Sequence, residues 1–232
     1  MTTSHGTPVA LVTGGSAGLG LALVRALAGS GWAVVTDARG ADALAAATDG
    51  LPRVAALPGD VLDPRHRAAL AERVDVLGRL DLLVHNASEL GPMLPLAEVE
   101  PPTADDVLAT NVLAPLELTR LLLPRLRETG GRIVGISSDA AIKHYPTWGA
   151  YGASKAALDH VILTLAEETG LRGYAVDPGD LRTAMHQRAF PGEDISDRPL
   201  PETVVPDLLA LVASDRPSGR YRLADVLTGA AR

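Results

Sequence analysis

The sequence contains no cysteine, which excludes disulfide bonds, a catalytic thiolate and any metal site built on cysteine. This composition fits a reducing compartment. Basic residues are also in deficit, since 21 Lys and Arg stand against 28 Asp and Glu, for a net charge of −7. Such a chain lacks the basic surface with which proteins bind nucleic acid or an anionic membrane. We therefore expect neither nucleic acid nor a membrane as a partner.

Long uninterrupted apolar segments are missing as well. The most apolar stretch, residues 107–126, contains Asn111, Glu117 and Arg120 and is predicted to be too polar to span a membrane. Residues 1–8 have no basic region followed by an apolar run, so a secretory signal is not expected. The sequence predicts a cytoplasmic protein whose 232 residues form a single domain, 1–232.

Short apolar runs alternate with helical patterns along the chain. Strands are predicted at residues 9–13, 32–36, 53–57, 81–84, 132–136, 171–176 and 221–223, and helices after Gly20 and at about 41–48, 63–77, 104–128, 151–169 and 203–213. Pro115 is expected to kink the helix at 104–128. This alternation predicts an α/β fold with a parallel sheet covered on both faces. Such sheets bind ligands at the carboxyl ends of their strands.

Glycines follow the first predicted strand directly. Gly14, Gly18 and Gly20 lie between this strand and a helical pattern. Glycine permits a tight turn and close backbone approach, and a helix N-terminus offers free N–H groups, so the segment predicts the phosphate-binding turn of a dinucleotide site. An ordinary glycine turn is the alternative, because the spacing differs from G-x-G-x-x-G.

Tyr151 and Lys155 are four residues apart at the start of a predicted helix and therefore share one face. A free tyrosine has a pKa near 10, which a neighbouring ammonium lowers by about 1–3 pH units. The pair is therefore a candidate general acid/base. The same spacing is also common on solvated helix faces, so the assignment depends on the rest of the chain.

In order and spacing, these motifs resemble those of the classical short-chain dehydrogenase/reductase family over about residues 9–183. The resemblance rests on Thr13–Gly20, Asp60-Val61, Asn86-Ala87, Asn111, Ser138, Tyr151 with Lys155, and Pro178-Gly179 through Thr183. It implies a single-domain, Rossmann-type, doubly wound parallel sheet that binds a nicotinamide dinucleotide. It also implies a catalytic tetrad of Asn111, Ser138, Tyr151 and Lys155.

The resemblance implies a role for each member of the tetrad. Tyr151 gives a proton to the carbonyl oxygen as hydride arrives, and Ser138 hydrogen-bonds the same oxygen. Lys155 lowers the pKa of Tyr151 and holds the nicotinamide ribose. Asn111 anchors a water on the proton relay, or fills the gap at the Pro115 kink, or does both. The implied cofactor-binding residues are Gly14, Ser16, Ala17, Gly18, Leu19, Gly20, Ala38, Arg39, Asp60, Val61, Asn86, Ala87, Tyr151, Lys155, Pro178, Gly179, Leu181 and Thr183.

The end of the second strand bears on the choice of cofactor. Asp37 is able to accept a hydrogen bond from a ribose 2′-hydroxyl, which favours NAD, whereas Arg39 is able to pair with a 2′-phosphate, which favours NADP. Counting from Gly31, the family's discriminating acidic position falls on Ala38, a pattern that resembles NADP-preferring members. Ala17 points the other way, since many of those members carry a basic residue there. NADP (NADPH) is the predicted cofactor, with NAD as the alternative.

Two segments depart from the family pattern. Ser88 stands where the family has a glycine beside the cofactor, and residues 225–229 replace the usual Asp-Gly-Gly after the last strand. The second departure puts a tetramer through that end in doubt. A homodimer through the helices that contain Ala104 and Tyr151 is implied by the resemblance.

Apolar side chains on the loops around the nicotinamide predict a small apolar carbonyl or alcohol as substrate. The predicted substrate-binding residues are Leu90, Leu94, Ala140, Tyr145, Trp148 and Met185. Residues 181–201 show no clean period and are predicted to be a mobile loop that acts as a substrate lid. No metal-ligand spacing is present, so no metal is expected.

These patterns predict an NADP-dependent oxidoreductase that reduces a ketone or aldehyde, or oxidises the alcohol, by hydride transfer. A non-catalytic dinucleotide-binding regulator on the same fold is one alternative, since a fold does not fix a function. A dehydratase or isomerase that uses the same tetrad is another.

Overall fold

Seven parallel strands form one sheet in the computed structural model, which describes residues 6–226. The strands are β1 Val9–Val12, β2 Ala33–Ala38, β3 Val54–Pro58, β4 Leu82–His85, β5 Arg132–Ile136, β6 Arg172–Asp177 and β7 Gly219–Arg222. Their order is β3-β2-β1-β4-β5-β6-β7, so the winding reverses between β1 and β4. The carboxyl ends at such a reversal are where sheets of this kind bind ligands.

Helices cover both faces of the sheet. They are α1 Gly18–Gly29, α2 Ala41–Thr48, α3 Pro64–Leu77, α4 Pro101–Leu108, α5 Ala114–Thr129, α6 Gly149–Thr169, α7 Ala184–Ala189, α8 Val205–Ala213 and α9 Leu223–Val226. Leu27 of α1 and Leu208 of α8 belong to the core on one face, and Leu70 of α3 and Leu118 of α5 belong to the core on the other. The predicted doubly wound α/β sheet is confirmed.

The long helical segment after the proline-rich loop begins at Pro101, three residues before the predicted start at Ala104. Proline suits a first helical turn, because the N–H that it lacks has no partner there. Between α4 and α5 the helix contains a π-helical turn, Ala109–Leu113. Pro115 has no N–H to donate to the carbonyl of Asn111, which explains why the regular α-helical pattern is interrupted at this place.

Residues 181–201 are not the wholly irregular loop that the sequence predicted. They contain α7, and the Oγ1 of Thr183 caps this helix by accepting a hydrogen bond from the backbone N–H of His186 at 3.2 Å. With six residues, α7 is less than two turns long. A hydrophobic period cannot be recognised over so short a stretch, and the prolines and glycine that follow it hid it further.

By length and composition alone, the helical segment Pro101–Thr129 is long and apolar enough to cross a membrane. Its most apolar window has a mean hydropathy of 1.2, so its polar residues do not exclude a span in the way the sequence suggested. However, 44% of that window is buried inside the protein, and Leu118, Leu122 and Leu126 lie in the core. Buried core helices pass the same test, so the segment is weak evidence for a span.

Candidate active site

A cleft of about 870 Å³ opens along the carboxyl ends of the strands. It is lined by the turn after β1, the end of β2, the segments that follow β3, β4, β5 and β6, the beginning of α6, and α7. The cleft therefore brings together the stretches that the sequence predicted at this edge of the sheet.

The glycine turn after β1 leaves no room for side chains at its closest points. A Cβ on Gly15 would lie 1.9 Å from the Oγ1 of Thr36, and a Cβ on Gly20 would lie 2.3 Å from the carbonyl oxygen of Gly14. Gly18 has a φ of 56°, a conformation that glycine adopts without steric cost. The glycines therefore let the turn, β2 and the start of α1 approach one another closely.

Asp37, at the end of β2, is 1% exposed and is held by the protein itself. Its Oδ1 accepts a hydrogen bond from the N–H of Gly14 at 2.8 Å, and its Oδ2 lies 3.0 Å from the Nε2 of His66 on α3. Arg39, in contrast, has a side chain that is 71% exposed, with its Nη2 3.6 Å from a carboxylate oxygen of Glu89. Asp37 thus braces the glycine turn, while Arg39 presents its guanidinium at the cleft.

Asn86 fastens the end of β4 to the glycine turn. Its side-chain Nδ2 donates to the carbonyl oxygens of Thr13 and Gly14, at 2.8 and 3.2 Å. The Oγ1 of Thr13 accepts from the backbone N–H groups of Asn86 and Ala87, both at 3.0 Å. Two strand ends that flank the winding reversal are therefore joined by side-chain hydrogen bonds.

Tyr151 and Lys155 lie on successive turns of α6, and the Nζ of Lys155 is 5.5 Å from the centre of the Tyr151 ring. Burial raises the pKa of Tyr151 to about 12; hydrogen bonds with Ser138 and Ser88 lower this pKa, and two nearby carboxylates raise it. The net lowering of the Tyr151 pKa that the sequence predicted is therefore not found in this geometry. Burial has the larger effect, because it disfavours the charged phenolate.

Lys155 is itself buried, with 2% of its surface exposed. Burial lowers the pKa of its ammonium to about 8, against the attraction of Asp159. The Nζ donates a hydrogen bond to the carbonyl oxygen of Ile136, at 2.8 Å, which orients the side chain along the end of β5.

Ser138 follows β5 and caps the short 3₁₀ turn Asp139–Ala141. Its Oγ accepts a hydrogen bond from the N–H of Ala140 at 3.2 Å, and this hydroxyl is one of the groups that lower the pKa of Tyr151. Its carbonyl oxygen accepts a hydrogen bond from the Nη2 of Arg220, on β7, at 2.6 Å. The hydroxyl of Ser138 is therefore presented from a backbone that is held at both sides.

Asn111 is completely buried in the π-helical turn, and all of its side-chain hydrogen bonds are made within the protein. Its Oδ1 accepts from the N–H of Glu89 and the Oγ of Ser88, at 2.7 and 3.1 Å. Its Nδ2 donates to the carbonyl oxygen of Glu89 and the Oγ of Ser154, both at 2.8 Å. The side chain does not line the cleft and instead holds the loop after β4 against α6.

The predicted substrate-binding residues divide into two groups. Leu90, Tyr145, Trp148 and Met185 line the cleft, whereas Leu94 and Ala140 do not. Leu94 is 43% exposed on the proline-rich loop, and Ala140 is buried in a small apolar cluster that includes Tyr151. Predicting that a residue lies on a loop near the site does not determine which way its side chain points.

The indole of Trp148 forms the centre of the apolar wall. Its ring centre is 5.8 Å from that of Tyr151, 5.8 Å from that of Phe190 and 6.2 Å from that of Tyr145. These contacts join the start of α6 to the end of α7, so residues on both elements enclose the space beside Tyr151.

Among the predicted cofactor-binding residues, every one except Gly20 lines the cleft. Gly20 lies behind the turn, where its lack of a side chain admits Gly14 and Asn86. The acidic residues of the lining that sequence reasoning missed include Asp139 and Asp177. Each is next to a motif residue that was predicted, so extending those motifs by one position would have found both.

Within residues 6–226, no three His, Asp or Glu side chains form a group suited to a metal ion.

A family model described as short chain dehydrogenase matches residues 8–194. The chain belongs to the short-chain dehydrogenase family. The oxidoreductase YciK of Escherichia coli K12 is 39% identical to this short-chain dehydrogenase over 150 residues, covering 63% of the chain and 60% of YciK. Ketoacyl reductase HetN of a Nostoc species is 37% identical over 192 residues, covering 77% of the chain and 65% of HetN. The matched stretches thus span less than two thirds of either relative.

Solved structures of similar proteins share the fold along nearly the whole chain. A protein from Pseudomonas syringae has 34% sequence identity and a TM-score of 0.88, over 93% of this short-chain dehydrogenase and 94% of that chain. A protein from Escherichia coli CFT073, solved in complex with NADPH, has 34% identity and a TM-score of 0.85, over 93% and 96% of the two chains.

Proposed function

We propose that this short-chain dehydrogenase uses NADP to reduce a ketone or aldehyde, or to oxidise the alcohol, with Tyr151 as the acid or base. One observation carries the proposal: Ser138, Tyr151 and Lys155 line the same cleft as the glycine turn after β1. A proton donor is therefore in one cavity with a phosphate-binding turn. The names of a ketoacyl reductase and of an NADPH complex among the similar proteins support the same assignment.

The residues of the cleft fit a phosphorylated dinucleotide. Ala17, the N-cap of α1, makes no side-chain capping bond, so the first N–H groups of that helix suit an anion such as a pyrophosphate. Arg39 would hold a 2′-phosphate, and Asp37 is engaged with Gly14 and His66. This arrangement favours NADP over NAD. When bound, the nicotinamide supplies or accepts the hydride.

Tyr151 keeps its proton at neutral pH, because burial raises its pKa to about 12. A neutral phenol beside an open cleft is suited to donate a proton to a carbonyl oxygen, which is the reductive direction. The hydroxyl of Ser138 would hydrogen-bond the same oxygen and stabilise its developing negative charge. Lys155, in its charged form, would stabilise the phenolate that remains on Tyr151.

Asn111 would contribute through its main chain. In a regular helix its carbonyl oxygen would accept a bond from residue 115, which is proline and has no N–H. The side chain meanwhile locks the surrounding loop. We propose that this carbonyl holds a water on the route by which Lys155 regains protons from solvent. The sequence suggested two roles for Asn111, and this arrangement assigns them to different parts of the residue.

The wall formed by Leu90, Trp148 and Phe190 beside Tyr151 supports a small apolar carbonyl compound as substrate. Apolar walls bury the body of such a ligand, and a few polar groups fix its orientation. Met185 and α7 would close over it, in the role that the sequence assigned to a lid.

The direct test is a screen of aliphatic, aryl and polycyclic ketones, and of the corresponding alcohols, with NADPH, NADH, NADP and NAD. Ketone-dependent NADPH oxidation that is faster than NADH oxidation supports the proposal. A faster rate with NADH would contradict the cofactor assignment. Product analysis by mass spectrometry separates reduction, which adds two hydrogens, from dehydration and isomerisation.

A binding-only regulator is the alternative from a different class. It would bind NADPH but show no turnover with any substrate of the panel, and substitution of Ser138 or Tyr151 would leave cofactor binding unaltered. A regulator has no need of a hydroxyl pair at the cleft, which is why the geometry favours an enzyme.

The proposed assembly is a homodimer that involves the Pro101–Thr129 segment and α6. Leu108, Leu113 and Leu121 of that segment are 38–55% exposed, and Ala153 and Ala156 of α6 are exposed as well. Burial of such apolar surface would favour association. Sedimentation velocity of the wild type and of Leu113→Glu tests this, with a shift of the variant towards monomer expected. The residues cited against a tetramer lie mostly outside the described residues.

A further inference from the structure

The side chain of Arg220, on the edge strand β7, contacts residues that lie next to the proposed acid/base pair, Tyr151 and Lys155. Its Nη2 donates to the carbonyl oxygen of Ser138 at 2.6 Å, and its Nε donates to the Oδ2 of Asp159 at 2.9 Å. Its Nη2 is also 3.7 Å from the Oδ2 of Asp177. Although it is an arginine on an edge strand, its side chain is only 21% exposed. Arg220 lies beyond residues 8–194, the part matched by the family model.

Each partner of Arg220 is tied to the proposed chemistry. Ser138 carries the hydroxyl beside Tyr151. Asp159 is one helical turn after Lys155 on α6, with a side chain that is 11% exposed. Asp177 ends β6 and lines the cleft, with a side chain that is 5% exposed. Arg220 is therefore at the junction of β5, β6 and α6.

The charges at this junction balance through Arg220. Among the ion pairs of residues 6–226, the carboxylates of Asp159 and Asp177 each pair with Arg220 and with no other side chain. A buried charge that loses its partner is strongly unfavourable. Without Arg220, two nearly buried carboxylates would act on Tyr151 and Lys155 uncompensated.

We propose that Arg220 is a positioning residue for this reaction: it fixes the backbone of Ser138 and neutralises the two carboxylates that flank the Tyr151–Lys155 pair. The expected effect on kcat rests on the proposed function. The expected effect on the ionisation of the site does not. Arg220 touches neither the carbonyl site nor the dinucleotide turn, so cofactor binding is not part of its role.

A purely structural role, in which Arg220 fastens the edge strand, is the competing explanation. The pairing of β7 with β6, from Tyr174–Gly219 to Asp177–Arg222, already joins the strands through the backbone. The two roles differ in what they predict for charge. Only the positioning role makes the ionisation of the site depend on the balance between Arg220 and Asp159.

The test compares Arg220→Met with Arg222→Met, a change of the same kind at an exposed arginine two residues further along β7. The kinetic measurement is the pH dependence of kcat for alcohol oxidation, in which Tyr151 acts as base. Tyr151 is faced by Lys155 on its own helix, by Asp177 from β6 and by Asp139 after β5, and Lys155 is faced by Asp159. Loss of the Arg220 cation favours the protonated forms of both groups.

For Arg220→Met, the pH at which kcat rises to half its maximum should increase by about one pH unit. At pH 8, kcat should therefore fall by about tenfold. Asp159→Asn should decrease the pH of half-maximal kcat, and the double variant should lie between the two single variants. Arg220→Lys, which restores the charge, should recover most of the shift. The Kd for NADPH, measured by fluorescence, should stay within about twofold in each variant, since Arg220 does not line the cleft.

A second measurement is independent of turnover. Burial lowers the pKa of Lys155 to about 8, so this group titrates at a pH that the fold tolerates. The chain has two lysines, so NMR of a labelled side-chain carbon of lysine gives two signals, and Lys143→Arg identifies them. The pH titration of the Lys155 signal should move upward in Arg220→Met and stay unaltered in Arg222→Met. This outcome supports the electrostatic role even if no ketone in the panel is turned over, in which case the proposed function alone fails.

An unaltered pH dependence of kcat and an unaltered Lys155 titration in Arg220→Met would overturn the inference. So would equal effects in Arg222→Met, or a loss of thermal stability in Arg220→Met that Arg220→Lys shares without any pH shift. If Arg220→Met does not fold, Asp159→Asn alone distinguishes the two roles. The positioning role requires that this variant shift the pH dependence of kcat to lower pH, and a structural role does not.

Discussion

The carboxylate of Asp37 and the backbone N–H of Gly14 form a hydrogen bond of 2.8 Å that ties the end of β2 to the glycine turn. This bond, together with the contact to His66, engages both carboxylate oxygens. The acidic residue that would otherwise favour NAD is thus part of the scaffold of the turn. We propose that cofactor preference depends on the exposed guanidinium of Arg39.

Arg39→Ala should weaken NADPH binding by about 10- to 100-fold, because a hydrogen-bonded pair with a charged phosphate contributes roughly 1.5–3 kcal/mol. Binding of NADH, which has no 2′-phosphate, should change by less than about twofold. Fluorescence titration with both cofactors measures this. Arg25→Ala, at an exposed position of α1 away from the cleft, is the matched control and should leave both constants unaltered. Equal losses for NADPH and NADH in Arg39→Ala would contradict the assignment.

Two glycines of α1 should respond in opposite ways to the same substitution. Gly20→Ala places a Cβ 2.3 Å from the carbonyl oxygen of Gly14 and 2.4 Å from the Nδ2 of Asn86, so it should destabilise the fold by about 1–3 kcal/mol and weaken NADPH binding. Gly29→Ala meets no atom within 4 Å and should be neutral or stabilising by up to about 1 kcal/mol. Urea unfolding of both variants checks this, and an unaltered Gly20→Ala would show that the turn is less tightly packed than described.

The buried His85 should make the free energy of unfolding decrease in acid. It is 2% exposed, its Nε2 is 2.8 Å from the Oγ1 of Thr119, and burial lowers its pKa to about 3 from an ordinary value near 6.5. Between those two pH values the unfolded chain binds a proton that the folded chain does not, so stability falls as the pH falls below 6.5. From pH 6.5 to pH 5 the loss should be about 2 kcal/mol.

His85→Asn keeps a polar side chain but removes the titrating group. Urea unfolding at pH 6.5 and pH 5 should therefore show a smaller acid loss in the variant than in the wild type, whatever its stability at pH 6.5. Parallel losses in the two proteins would mean that other groups cause the acid sensitivity.

Local patterns were enough to predict the strands and most helices, because this sheet is buried on both faces and its strands are continuously apolar. Gly14, Tyr151 and Lys155 were assigned through the ordered set of family motifs, because the spacing of each motif alone left an ordinary alternative open. The sequence did not predict contacts between residues that are far apart along the chain. Nothing in the sequence around Arg220 or His66 indicates that these residues meet Ser138 and Asp37.

The sequence also did not predict which way a side chain points or how deeply it is buried. Leu94 and Leu90 are four residues apart on one loop, yet only Leu90 points into the cleft. The spacing of Tyr151 and Lys155 predicts a charge effect that lowers the tyrosine pKa, whereas the depth of the site makes desolvation the larger effect. Solvent exclusion is set by the neighbours of a residue in the fold, and no single stretch of sequence contains it.

We propose that the hydroxyl of Tyr151 transfers the proton, and ketone-dependent NADPH oxidation by Tyr151→Phe tests this most directly. The variant keeps the ring that packs against Trp148, so the Kd for NADPH should stay within about twofold, while kcat should fall by at least about 100-fold. Tyr221→Phe, which removes a hydroxyl on β7 that bonds Pro217, is the control and should keep the wild-type rate. A Tyr151→Phe variant that turns over ketone at more than about a tenth of the wild-type rate would contradict the account.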